Sequence, residues 1–294
     1  MARTTLSLPP RPPRSARIVP RVHWQVVATW LLVVVVGGLA GGLAASGGAA
    51  GSSWLTPQRA VAFTVAPVAV AVALSAALYL LARRAARWNQ AGIDRLAAGQ
   101  HEAAALLFRD VARQVGFGAT GAFNLGMTLL RLADVRGALG AFAAVERAGG
   151  RRGRSVLGAA VAGNLALCDA LLGDLEAAEA WSLEARRRVQ RPGHANRLHF
   201  VAEAVALERR GHDEAAARRL AEGWGEIELT TSADLMRGIR LIRAYVVERA
   251  GGTPGEVEAL LAGARPFRPG EYAWLAGGWK ELEVWLALKG FAPA

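Results

Sequence analysis

The side chains with the best claim to chemistry lie between residues 194 and 212. His199 and Glu203 stand one helical turn apart, with His194 and His212 close by. Imidazole and carboxylate at that spacing share a helix face, where they can hold a divalent metal, and a metal-dependent hydrolase is the catalytic candidate this implies. No tighter constellation completes a ligand set, so the expectation is no metal, no cofactor and no enzyme. Cys168 is the single cysteine. It sits among apolar neighbours, which reads as a buried thiol, and a lone cysteine excludes a disulfide within the chain. No GxxxxGK[ST] phosphate loop occurs. Arg151, Arg152 and Arg154, and Arg186, Arg187 and Arg188, form two basic runs. They suit anionic lipid or an acidic partner, and equally a solvated loop and a helix end.

The elements that must position these residues repeat. Gly92 and Gly126, Gly99 and Ala133, Ala104 and Ala138, Phe108 and Phe142, and Val111 and Val145 are each 34 residues apart. A small residue midway along a first helix and an Ala on a second let the two cross closely, and large side chains there would push them apart. A Gly at the turn supplies a left-handed C-cap, and the aromatic fills space between hairpins. A third unit (Leu165, Ala166, Gly173, Asp174, Ala178, Ala185) follows 40 residues after the second, because "GGRRGR" lengthens the connection. A fourth (Phe200, Ala204, Leu207, Gly211, Ala216, Leu220) comes 38 later. A fifth pair is expected near 232–250 and 254–264, with Gly251, Gly252 and Pro254 at its turn. The last stretch, "EYAWLAGGWKELEVWLALKG", reads as one amphipathic capping helix burying Tyr272, Trp274, Leu275, Leu282, Trp285 and Leu286.

With Trp88, Ala91-Gly92, Gly99, Ala104 and Phe108 in the first unit and Leu125-Gly126, Asp134, Ala138 and Phe142 in the second, the chain resembles the tetratricopeptide repeat family. The resemblance implies an all-α solenoid of about five helix pairs, whose first helices line a concave groove that binds a protein or peptide partner. The groove positions it implies are Asn89, Ile93, Phe123, Met127, Leu130, Arg131, Leu167 and Arg209. Asn124 and Asn164 occupy equivalent places, either to hold the backbone of a ligand or to bond neighbouring helices. A clamp for a partner's terminal carboxylate built on lysine is not expected, since Lys280 and Lys289 are the only lysines.

Hydrophobic content of 53% is high for a water-soluble chain. Two uncharged apolar runs, 24–45 and 61–81, are each long enough to cross a bilayer as a helix. The net charge of +11 comes mostly from residues 1–88, which hold nine arginines and no acid, while the remainder holds 26 basic and 24 acidic residues. That distribution argues against a nucleic-acid partner. Five arginines precede the first run, three follow the second, and the loop between has only Arg59. By the positive-inside rule both termini are then cytoplasmic in a multi-pass protein of the cell inner (plasma) membrane. Trp24, Trp30, Trp54, Tyr79 and Trp88 fall where interfacial anchors belong. The order basic, apolar, small is also that of a signal peptide, but the run exceeds a usual apolar core of one.

Gly37 with Gly41, and Gly38 with Gly42, form overlapping GxxxG pairs, a close-packing face for the second span or for an oligomer. Pro67 is expected to kink that second span. No ionisable residue lies in either span, which leaves transport without a residue to carry it. The expected organisation is a basic tail (1–23), a transmembrane helical hairpin (24–82) and a cytoplasmic repeat domain (83–294). Its expected function is a membrane-anchored adaptor. The alternatives are a permanent structural subunit or assembly factor of a larger membrane complex, and the hydrolase.

Overall fold

The computed structural model describes residues 57–114, 116–149, 158–189, 197–268 and 270–291, with side chains from Ala69. The first apolar run with Gly37, Gly38, Gly41 and Gly42, the arginines at 151, 152 and 154, and His194 lie outside the described residues. All regular structure among the described residues is helical. Contacts divide the chain into Met1–Leu81 and Ala82–Ala294.

In the first unit the described residues belong to helix α1, Pro57–Ala97, which runs past Pro67 without ending there. The stretch Ala69–Ala97 is long and apolar enough to cross a membrane by length and composition. Val70, Val72, Tyr79, Leu80 and Leu81 are exposed. Large apolar side chains do not normally cluster in water this way. The sequence treats the second span and the first repeat as successive segments, but α1 carries both as one helix.

The second unit is a succession of helix pairs. Residues 82–97 of α1 pair with α2 (His101–Ala112), and α3 (Gly118–Arg131) pairs with α4 (Val135–Gly149). Next come α5 (Gly158–Leu172) with α6 (Leu175–Val189), and α7 (Leu198–Glu208) with α8 (Asp213–Thr230). The last pair is α9 (Ala233–Arg249) with α10 (Pro254–Ala262). Each pair packs on the next, α4 on α5 and α6 on α7.

The five turns share one geometry. Gly99, Ala133, Gly173, Gly211 and Gly251 have φ of 75°, 58°, 90°, 80° and 78°. After each, the next amide donates to the carbonyl five residues back: Gln100 to Arg95, Asp134 to Leu129, Asp174 to Asp169, His212 to Leu207, Gly252 to Val247. This is the Schellman closure, which satisfies helix-end carbonyls and favours Gly because L side chains crowd the left-handed region. Ala133 is the exception, in register with Gly99. The following helix starts immediately. Asp134 Oδ1 accepts from the Gly137 amide at 2.8 Å, Asp174 Oδ1 from Ala177 at 3.1 Å, and Thr253 caps α10 ahead of Pro254.

The small residues of the repeat also meet their purpose. A Cβ on Gly92 would lie 2.6 Å from Phe108 Cε1, and one on Gly126 would lie 2.7 Å from Phe142 Cε1. Each aromatic therefore seats on the glycine of its own hairpin. In the fourth pair the roles exchange, with Phe200 of α7 against Gly223 of α8. Helix α5 buries every residue from Val161 to Leu171. It is apolar around its whole circumference because neighbours cover it on all sides.

The C-terminal stretch differs from the expected single helix. It forms α11, Ala273–Ala276, and α12, Lys280–Leu288, broken by Gly277, Gly278 and Trp279. The six residues expected to be buried are so, and Trp279, at 1% exposure, joins them. At the break both glycines press against other helices, Gly278 too closely for a side chain. A Cβ on Gly277 would lie 3.0 Å from Val135 Cγ2, and one on Gly278 would lie 2.7 Å from the Leu171 carbonyl oxygen.

Candidate partner-binding surface

The groove positions divide by depth. Ile93 is 40% exposed, whereas Leu130 and Leu167 are 2% and 0% exposed. Phe123 and Met127 pack against the core, Phe123 edge-on to Phe142 at 5.6 Å. Asn124 Nδ2 donates to Asn89 Oδ1 at 2.8 Å, so this pair bonds neighbouring first helices. Asn164 Nδ2 donates to the Ala160 carbonyl at 2.8 Å, within its own helix. Arg131 donates to the Met127 carbonyl and lies 3.8 Å from Asp234 of α9. Burial lowers the pKa of its guanidinium. Leu130, Leu167 and Asn164 are thus interior residues, not open groove positions.

The segment 270–279, here called the strap, packs against the first helices α3 and α9. Trp274 lies on Gly238 of α9, where a Cβ would come within 2.4 Å of the indole. Tyr272 is held by its hydroxyl, which donates to the Ala264 carbonyl at 2.5 Å. Glu271 pairs with Arg237 at 2.5 Å. Arg209, on the turn between α7 and α8, donates to the Ala170 and Leu171 carbonyls at 3.1 and 2.7 Å and to the Gly278 carbonyl at 3.1 Å. One guanidinium thereby caps the end of α5 and fastens the strap, as a planar fork of donors can. Trp279 meets Tyr245 edge-on at 5.3 Å. Beyond it, Trp285 Nε1 donates to Glu248 Oε2 at 3.0 Å, and Lys289 lies 2.8 Å from the same carboxylate, lowering its pKa.

The residues proposed for metal chemistry are arranged otherwise. Glu203 pairs with Arg186 at 2.6 Å and with Arg219, and the three line a cleft of about 430 Å³ with Glu179, Leu183 and Leu207. Both Glu203 oxygens are therefore engaged by guanidinium groups. His199 is 3% exposed. Burial first, then Arg186, Arg219 and Arg197, pushes its pKa down to about 4, so it is neutral at pH 7. Arg219 also stacks over Phe200 at 4.2 Å. Among the described residues no three His, Cys, Asp or Glu side chains are grouped to hold a metal. Cys168 is fully buried, and burial raises its thiol pKa.

Sequence reasoning named Arg209 as a groove residue but missed the strap it binds. The available signal was the Gly-Gly pair flanked by tryptophans, which a capping helix has no use for. Among the described residues the second unit is thus a succession of helical hairpins with the strap packed on its first helices. No family model matches the chain, and no curated protein matches it. Solved structures similar to it include MamA MSR-1 C2, at 17% identity and a TM-score of 0.37, covering 65% of this chain and 96% of that one. MamA AMB-1 P212121 is similar at 19% identity and a TM-score of 0.36, covering 70% and 97%.

Proposed function

We propose that the protein is a membrane-anchored scaffold of tetratricopeptide type that recruits a protein or peptide partner at the cytoplasmic face of the inner (plasma) membrane. The observation carrying this reading is the helix α1. It combines a stretch long and apolar enough to span a bilayer with the first helix of the repeat array. Tethering raises the effective concentration of any membrane partner, so contacts that are individually weak suffice. Of the expected groove positions Ile93, in the first pair, is exposed, and Asn89, Phe123, Asn124 and Met127 are half-buried. A second reading, a permanent subunit of a larger membrane complex, is favoured by exposed Leu229 and Leu288, at 87% and 80%.

Topology is testable without removing the native cysteine, because Cys168 is fully buried. A membrane-impermeant maleimide applied to spheroplasts is expected to label Ser53→Cys, in the loop between the apolar runs, and to spare Ala221→Cys until the membrane is opened. Labelling of Ala221→Cys in intact spheroplasts would overturn the orientation.

A further inference from the structure

We propose that the strap is a built-in, displaceable ligand of the concave face. The partner then presents a segment of like chemistry: a carboxylate followed by two aromatic rings flanking small residues. This deepens, and rests on, the scaffold reading. Three features set the strap apart from the helices it touches. Its regular structure is one four-residue helix, α11. It enters by side chains, with Trp274 in the niche left by Gly238 and Trp279 against Tyr245. It is entered through Gly270, whose φ of 75° lies in the left-handed region that glycine adopts freely. The receiving surface meanwhile matches a peptide ligand. Arg237 reads the Glu271 carboxylate, Arg209 reads the Gly278 carbonyl, and the niche takes an indole. A ring seated in a fitted pocket is the kind of anchor that carries most of an interface's binding energy.

A seated strap taxes any competitor. If it is docked about 99% of the time, a peptide in trans binds about 100-fold more weakly than to the vacated face. The probe is a fluorescent synthetic peptide of residues 267–280, titrated against the full-length protein in mild detergent and against Gly278→Leu. A leucine there collides with the Leu171 carbonyl and keeps the strap from seating. The expected result is affinity at least about tenfold higher for the variant than for wild type. A folded variant that binds no peptide would overturn the proposal. Hydrogen exchange on the wild-type protein tests it without any substitution. The strap amides of Trp274 and Leu275 are expected to exchange at least about tenfold faster than those of Leu165 and Leu167 in α5, by opening without global unfolding. Equal rates would make the strap part of the permanent core and contradict the proposal. Neither readout involves a cellular partner, so failure here is distinguishable from failure of the scaffold reading.

Discussion

Gly126→Val is expected to destabilise the repeat array by about 3 kcal/mol, the upper part of the range for overpacking a core. Phe142 Cε1 and Cζ stand 2.7 and 2.8 Å from where the new Cβ must lie. The ring has nowhere to retreat, being fully buried with Phe123 packed edge-on against it. The same collision makes the effect conditional. Phe142→Ala alone removes a buried aromatic and costs about 3–5 kcal/mol. In the double variant the valine fills part of the vacated space, so the combined loss falls short of the sum by about 1 kcal/mol or more. Denaturant unfolding in detergent, followed by far-ultraviolet circular dichroism, measures all four proteins. Strict additivity would mean that the glycine is not there for the ring.

Glu203→Ala is expected to cost about 2–3 kcal/mol. Removing the acid from a fully buried pair costs about 3–5 kcal/mol, and the lower figure allows for solvent screening at Arg186. The Arg186 side chain is 48% exposed, against 20% for Arg219 and 10% for Glu203 itself. With the carboxylate gone, two guanidinium groups face each other beside a histidine that burial already keeps neutral. Denaturant midpoints of the variant and wild type at pH 7 check the loss. The hydrolase reading predicts the reverse, unchanged stability with the loss of a hydrolytic activity.

Local chemistry made the repeat legible. A left-handed position followed by a helix cap is written in short stretches such as Gly173-Asp174, and the 34-residue spacing of Gly92, Phe108 and their counterparts encodes contacts within one hairpin. The Ala133 turn was placed by register alone, since alanine does not announce a positive φ. The site was legible only in part. Arg209 was identified as facing the groove, but its partner Gly278 lies 69 residues further along, and no periodicity encodes so distant a contact. The resemblance places Leu130 and Leu167 on an open surface, whereas the packing of neighbouring helices makes them interior. The pairing of Asn124 with Asn89 was one of two readings the sequence held open, and helix-to-helix bonding is the one observed.

The membrane-tethered scaffold is proposed to meet its partner first at the exposed Ile93 of the first pair, ahead of the strap-filled part of the concave face. A photo-crosslinking residue placed at position 93 and, separately, at position 229 tests this most directly. Both are exposed, at 40% and 87%. Ultraviolet irradiation of native membranes is expected to give a discrete protein adduct from position 93 that is absent from position 229. The same adducts from both positions, or an adduct from position 229 with none from position 93, would contradict it.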